Sequence, residues 1–136
     1  MSRIRFSPER IESLQADEIF VFGSNRQGLH GGGAAAYARQ RFGAVWGEGV
    51  GRTGQCYAIP TTDDSTEKIR PYVEEFIIYA KAHPELTFLV TEIGCGIAGY
   101  SVVQIAPLFA GALDMENILL PRRFVECLER TELRMI

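Results

Sequence analysis

The stretch that decides the fold is LTFLVTEIGCGIAGY, residues 86–100. Residues 86–91 are mostly apolar, β-branched or aromatic, a pattern that predicts a buried strand. Three glycines follow within six residues, at Gly94, Gly96 and Gly99. Apolar side chains then recur at helical spacing in residues 105–113. A buried strand, a glycine-rich turn and a helix in this order are typical of an α/β unit with parallel strands.

A second unit of the same kind lies earlier in the chain. Residues 18–22 (EIFVF) form an apolar run that ends at Gly23, and the alanine-rich residues 33–42 favour a helix that stops at Gly43. Between them lies a first glycine-rich loop with the triplet 31–33. Because both loops follow strands and precede helices, we expect them to open at the same edge of the sheet, where ligands bind in such folds.

The remaining elements alternate in the same way. Strands are predicted at residues 56–59 and 117–120, a one-sided helix at 69–80 with Pro71 in its first turn, and a helix that begins near Val103 or is kinked at Pro107. The tail from Arg122 is compatible with a helix, and residues 49–54 are predicted to be a mobile or turn-forming segment. We therefore expect a three-layer α/β/α sandwich with a mainly parallel or mixed central sheet.

Length and composition fit one domain that spans residues 1–136. Apolar residues make up 46% and charged residues 23%, as in ordinary globular proteins, and no run approaches the ~20 apolar residues of a membrane span. The first residues lack the apolar core of a secretory signal. Three widely spaced cysteines and two histidines predict neither a disulfide framework nor a zinc site. We expect a cytoplasmic domain with no cofactor, no metal and no membrane partner.

The distribution of charge indicates the class of ligand. A net charge of −3 disfavours a nucleic-acid partner. Within residues 19–62, however, there are four basic residues and one acidic residue: Arg26, Arg39, Arg41, Arg52 and Glu48. This local excess of positive charge favours an anionic ligand, and scattered, solvated arginines are the alternative.

Three familiar glycine motifs do not fit. Residues 23–28 have the glycine spacing of a Walker A loop but continue with Leu29 and His30, without the required lysine and hydroxyl. Residues 49–54 match the letters of a dinucleotide fingerprint, but they lead into a strand and not into a helix. A serine nucleophile elbow is absent. What remains is a pair of loops rich in backbone N–H groups that would hold a diphosphate from two sides. The alternative is that the glycines only relieve crowding at the turns.

In their order, the two loops resemble those of the macro domain superfamily, whose members bind ADP-ribose and related nucleotides and in part hydrolyse ADP-ribose linkages. Residues 91–100 (TEIGCGIAGY) are similar to its second loop, residues 30–34 (HGGGA) to its first, and residues 23–25 (GSN) to its strand that ends in an asparagine. The resemblance covers residues 4–120. We expect ligand contacts from Asn25, His30, Gly31, Gly32, Gly33, Ala34, Gly94, Cys95, Gly96, Ile97, Ala98, Gly99 and Tyr100.

The resemblance also implies a role for each part of this set. Asn25 would hydrogen-bond the distal ribose, and the backbone of residues 31–34 would contact that ribose and a phosphate. Residues 94–99 would wrap the diphosphate. Tyr100 would pack beside the distal ribose, unless it is an ordinary aromatic residue at the start of a helix.

Two features depart from the family. The acidic residue that reads adenine has no clean counterpart, since residues 7–9 (SPE) occupy its place. Many hydrolytic members carry an acidic residue just after the glycine triplet, where this chain has residues 34–36 (AAA). Because an alanine cannot activate water, the sequence favours binding over hydrolysis.

Three functions stay open at this stage. The first is binding of ADP-ribose or a related nucleotide or ribose phosphate, with at most weak hydrolysis. The second is catalysis on a small phosphorylated or ribosylated metabolite, with His30 as the acid or base. The third is binding of a protein partner through the tail arginines Arg122, Arg123, Arg130 and Arg134.

Two other side chains are candidates for chemistry at the second loop. Cys95 would be a nucleophile only if its surroundings lowered its pKa. Glu92 either orients a ligand or is a solvated residue at the end of the strand. The remaining histidine, His83, is expected at the end of a helix.

Overall fold

The computed structural model describes residues 6–24, 33–45, 47–61, 65–95 and 99–134, with the backbone alone for residues 131–134. Within these ranges the elements follow in the order β1 (Glu18–Ser24), α1 (Gly33–Arg41), β2 (Gly51–Thr53), β3 (Cys56–Pro60), α2 (Thr66–Ala82), β4 (Thr87–Val90), α3 (Val102–Ile105), a 3₁₀ helix (Ala106–Ala112), β5 (Ile118–Leu119) and α4 (Arg122–Arg134).

The strands form one mixed sheet in the order β2-β3-β1-β4-β5. β1 is central and pairs in parallel with β3 and β4, β5 pairs in parallel with β4, and β2 runs antiparallel to β3. Phe20 of β1 lies opposite Cys56 of β3 and Leu89 of β4. The predicted α/β class with a mainly parallel or mixed sheet is confirmed.

Successive residues of β1 belong to two different cores. Ile19 and Val21 lie on the first face of the sheet, which α2, the 3₁₀ helix and α4 cover, whereas Phe20 and Phe22 lie on the second face, which α1 covers. All four side chains are at most 3% exposed. Burial on both faces explains why β1 is a continuous apolar run. Helices on both faces give the three layers that the sequence predicts.

The helix α2 is longer than predicted. Its predicted apolar stripe is confirmed, and the buried members are Ile69, Val73, Phe76, Ile77 and Ala80. The helix begins at Thr66, however, so Pro71 lies in the second turn, and its expected place in the first turn is wrong. A proline at this position cannot donate to the carbonyl of Glu67. The burial of the stripe outweighs this lost hydrogen bond.

The helix after the second glycine-rich loop is only one turn long. It begins at Val102, close to the predicted start, and changes after Ile105 into a 3₁₀ helix with Pro107 near its beginning. Pro107 cannot donate to the carbonyl of Val103, which removes an α-helical hydrogen bond where the geometry changes. The predicted apolar stripe persists through both helices.

Residues 51–53 correct another expectation. They form the edge strand β2 and not a mobile segment, and a turn at Gly54 and Gln55 joins β2 to β3. Gly54 has φ +56°, and a Cβ there would lie 2.8 Å from the carbonyl oxygen of Gly43 and 2.9 Å from that of Phe42. The glycine therefore lets the hairpin touch the end of α1. Residues 49–54, which match the sequence pattern of a dinucleotide-binding motif, lead into a strand and not into a helix, as predicted.

The chain leaves β1 and β4 in opposite directions. From β1 it passes through α1, on the second face, towards β3, and from β4 it passes through α3 and the 3₁₀ helix, on the first face, to β5. Neighbouring parallel strands with diverging connections leave a crevice outside their carboxyl ends, where open α/β sheets usually bind ligands. The two predicted glycine-rich loops leave from these two strands, which end at the same edge.

We expect Gly54→Ala to lower the free energy of unfolding by about 2–4 kcal/mol, because its methyl group meets two backbone carbonyls and the positive φ adds strain. The matched control is Gly51→Ala, which has φ +86° but no atom within 4 Å of the new methyl group. It should lose about 1 kcal/mol from backbone strain alone. Urea denaturation measures both variants, and equal losses would contradict the role of the close contact.

Candidate functional site

The crevice begins where β1 and β4 stop pairing. The carbonyl oxygen of Val21 accepts hydrogen bonds from both the N–H (3.0 Å) and the hydroxyl (2.8 Å) of Thr91. Two residues later, the N–H of Ile93 turns back to the carbonyl oxygen of Thr91, at 2.8 Å, and does not continue the ladder. The hydrogen-bonded pairing of the two strands therefore ends at Val21, directly before the glycine-rich loops.

The ends of three strands meet at Gly23. A Cβ on this residue would lie 2.8 Å from the Oγ1 of Thr61, 3.3 Å from the backbone nitrogen of Gly94 and 3.5 Å from the Cβ of Ile93. Thr61 follows β3, and Ile93 and Gly94 follow β4. A glycine at this position thus allows the segments at the ends of β1, β3 and β4 to lie close together. Any side chain here would push these segments apart.

The second loop is closed at its base. The N–H of Tyr100 donates to the carbonyl oxygen of Gly94 at 2.7 Å, which brings the two ends of the loop together. Gly94 and Gly99 have φ +75° and +83°, values that favour glycine. The N–H of Cys95 donates to the carbonyl oxygen of Glu92, at 3.2 Å. The expected ligand-binding residues at both ends of this loop are therefore neighbours in space.

The first loop is described only where it enters α1. Gly33 opens this helix with φ +57°, and Ala34 follows it as an exposed residue. The first turn of α1 holds no acidic residue, in agreement with the alanines of the sequence. The expected contacts that lie outside the described residues are Asn25, His30, Gly31, Gly32, Gly96, Ile97 and Ala98. Their roles stay predictions.

One further contact fixes the wall of the crevice on the side of β3. The hydroxyl of Ser24, the last residue of β1, donates to the carbonyl oxygen of Gly49 at 2.5 Å, and both residues are buried. Val50 follows Gly49 and is 41% exposed. The segment between α1 and β2 is thereby tied to the carboxyl end of β1, which the sequence alone did not indicate.

Glu92 pairs with Arg123 of α4. The Nε of Arg123 donates to one carboxylate oxygen at 2.7 Å and its Nη2 to the other at 2.5 Å. The guanidinium lowers the pKa of Glu92 below its ordinary value of 4.5, and the carboxylate raises the pKa of Arg123. Since 31 residues separate the partners, sequence reasoning missed this pair. It ties the base of the second loop to the start of α4.

Two of the four tail arginines thus have contacts within the chain. Arg123 holds Glu92, and the guanidinium of Arg122 lies over the ring of Phe6, 5.0 Å from its centroid. Arg130 lies on α4 and is exposed. The tail therefore also makes contacts within the fold, and its role as a partner surface stays a prediction.

Cys95 does not have the surroundings of a nucleophile. Burial and the nearby carboxylate of Glu92 raise the pKa of its thiol, against the opposing effect of Arg123. A thiol with a raised pKa is protonated at neutral pH and is a poor nucleophile. No disulfide joins the three cysteines, and burial raises the pKa of Cys56 to about 12.

His83 has a structural place, as expected. It follows the last turn of α2, its Nδ1 lies 2.8 Å from the carbonyl oxygen of Tyr79, and its ring stacks on that of Tyr79 with centroids 4.1 Å apart. In the part of the chain that the structure describes, no three His, Cys, Asp or Glu side chains are grouped as a metal site. Across the same residues, each helix is too short or too polar to span a bilayer.

A separate groove of about 370 Å³ lies on the second face of the sheet. Its lining is Phe6, Pro8, Arg10, Ile11, Glu12, Ser13, Glu18, Leu89 and Leu119. Glu18 begins β1, so the groove extends towards the amino ends of the strands, away from the glycine-rich loops. The charged side chains of this groove have partners within the chain. Arg10 and Glu12 form an ion pair at 3.3 Å, and the carboxylate of Glu18 accepts a hydrogen bond from the N–H of Gln15.

A scan against protein-family models, a search of curated proteins and a search of solved structures each found no match to this chain.

We expect the pair between Glu92 and Arg123 to stabilise the fold in a pH-dependent way. Because the pKa of Glu92 is lowered on folding, its contribution is present above the ordinary pKa of 4.5 and is lost as the pH falls through the lowered pKa. Glu92→Gln should therefore reduce the free energy of unfolding at pH 7, by about 1 kcal/mol or less because the pair is partly exposed. The deficit should shrink below pH 4.5.

The matched control is Glu67→Gln, which removes the pair between Glu67 and Arg70 (3.3 Å) within one turn of α2. This pair joins two residues of a single helix, so its loss should cost less than that of the pair between the segment after β4 and α4. Urea denaturation between pH 3 and pH 7 measures both variants. A deficit of Glu92→Gln that stays constant across this range would contradict the lowered pKa.

Proposed function

We propose that this protein binds ADP-ribose, or a related nucleotide or ribose phosphate, in the crevice between the carboxyl ends of β1 and β4. The observation that carries the proposal is the divergence of the chain at these two strands. Each strand leads into a glycine-rich loop, and the two connections pass to opposite faces of the sheet. Such a switch point is where open α/β sheets bind nucleotides.

The floor of the crevice supports a phosphate-bearing ligand. Gly23 and Gly94 allow backbone and ligand to approach closely, and Gly33 with its positive φ opens the nine-residue helix α1 at the same edge. The first N–H groups of a helix carry a partial positive charge that favours anions. Two backbone segments rich in N–H groups fit a diphosphate better than a single phosphate, because each would hold one of its two groups.

The resemblance to macro domains supports a nucleotide as the proposed ligand. The order of the motifs in the chain, with GSN before HGGGA and IGCGIAGY after both, matches the order in that family. On this proposal Asn25 contacts the distal ribose, the backbone of residues 31–34 contacts the ribose and a phosphate, and residues 94–99 enclose the diphosphate. Tyr100 lies at the base of the second loop, where it would pack against the distal ribose.

Binding without efficient hydrolysis is the form of this function that the described side chains support. Hydrolysis needs a group that activates water. The first turn of α1 has alanines, the carboxylate of Glu92 is held by Arg123, and the thiol of Cys95 has a raised pKa. His30 is the remaining sequence candidate for acid–base chemistry.

Calorimetric titration with ADP-ribose tests the proposal, with ADP, AMP, NAD and ribose 5-phosphate as comparisons. We expect a dissociation constant near or below ~10 µM, which corresponds to roughly −7 kcal/mol. ADP should bind more weakly because it lacks the distal ribose. If neither ADP-ribose nor any of the comparison compounds binds, the proposed function is wrong and the resemblance concerns the sequence pattern alone.

A pair of glycine variants tests whether the second loop holds the ligand. Gly99→Ala and Gly43→Ala place a methyl group at φ +83° and +86°, and neither methyl group comes closer than 3.5 Å to the atoms around it. Their backbone strain is therefore comparable, but Gly43 follows α1 at the opposite edge of the sheet. We expect Gly99→Ala to weaken the binding of ADP-ribose at least about tenfold and Gly43→Ala to leave it unchanged. Equal affinities would place the ligand elsewhere.

A further inference from the structure

The hydroxyl of Thr61 is buried without a partner. Thr61 directly follows β3 and is 3% exposed. Its N–H donates to the carbonyl oxygen of Ser24 at 2.8 Å, but its Oγ1 has no hydrogen-bond partner among the described residues. The two other buried polar side chains in these ranges, Ser7 and Ser24, donate to the carbonyl oxygens of Val90 and Gly49. Native proteins seldom leave a buried hydroxyl unpaired, so this one needs an explanation.

The unpaired hydroxyl lies beside Gly23, near the carboxyl end of β1. Its oxygen is 2.8 Å from the point that a Cβ on Gly23 would occupy, and the backbone nitrogen of Gly94 is 3.3 Å from the same point. Gly94 is buried, and its N–H also donates to no acceptor within the described ranges. Two donors without acceptors among the described residues therefore lie beside Gly23, one directly after β3 and one in the segment after β4.

The chemistry of the two groups defines what they bind. Two neighbouring donors are satisfied together by an acceptor oxygen, and a negatively charged oxygen forms the stronger hydrogen bonds. The carboxylate of Glu92 is held by Arg123, so it does not serve as this acceptor. An oxygen of a bound anion is an acceptor of the kind that both donors need.

We propose that the hydroxyl of Thr61 and the N–H of Gly94 bind a phosphate oxygen of the ligand. This inference rests on the proposed function and adds a residue to it, because Thr61 belongs to neither glycine-rich loop. β3 then contributes to the site together with β1 and β4. The close approach at Gly23 serves to bring the hydroxyl of Thr61 over the end of β1.

The variant that tests the inference is Thr61→Val, which keeps the shape of the side chain and removes the hydroxyl. Without ligand, its stability to urea should equal or exceed that of the wild type, because a methyl group replaces an unpaired buried hydroxyl. Its affinity for ADP-ribose should fall at least about tenfold, since a hydrogen bond to a charged oxygen is lost. Thr61→Ser is the matched control, which retains the hydroxyl and should retain the affinity.

Titration with pyrophosphate separates this inference from the proposed function. If pyrophosphate binds in a manner that depends on the hydroxyl of Thr61, the inference stands even where ADP-ribose itself fails to bind. If the wild type and Thr61→Val bind ADP-ribose and pyrophosphate equally well, or if neither probe binds, the inference is wrong. It is also wrong if Thr61→Val is clearly less stable than the wild type without ligand, because the hydroxyl would then have a structural partner.

Discussion

The carboxyl edge of this sheet depends on the two hydrogen bonds that the carbonyl oxygen of Val21 accepts from Thr91. They form the end of the pairing between β1 and β4, because the N–H of Ile93 turns back to Thr91 and does not continue the ladder. On its other side, β1 remains paired with β3 as far as Ser24, opposite Pro60. The crevice is therefore asymmetric. One wall is a continuous pair of strands, and the other is the start of the second glycine-rich loop.

Both walls are held by contacts that need no ligand. β1 is buried on both faces, so its end cannot shift without disturbing two cores. The second loop is closed at its base by the hydrogen bond between Tyr100 and Gly94, and Glu92 next to it is held by Arg123 of α4. Groups placed on such supports lose little further freedom when they bind a ligand. On the proposed function, these supports would let a small sheet with short strands bind an extended anion.

The sequence predicts the elements whose signal is local. The apolar run of β1, the stripe of α2 and the glycines after β4 all follow from spacing and residue type, and the register places β1 beside β4. The interactions that join distant segments could not be predicted. The pair of Glu92 with Arg123 spans 31 residues, and the unpaired hydroxyl of Thr61 is visible only once the end of β3 lies over Gly23. Pro71 shows that a local rule can also fail. The preference of proline for the first turn predicted a later helix start, but the burial of one face of α2 outweighs the hydrogen bond that is lost at Pro71.

The described part of the crevice offers donors and lacks a base. The hydroxyl of Thr61 and the N–H of Gly94 are free to donate, the carboxylate of Glu92 is neutralised by Arg123, and the thiol of Cys95 is protonated at neutral pH. Such surroundings stabilise negative charge on a ligand but cannot take a proton from water. On the proposed function, an edge of this composition would hold a diphosphate in place and leave its bonds intact, and His30 would be the one sequence candidate for a base.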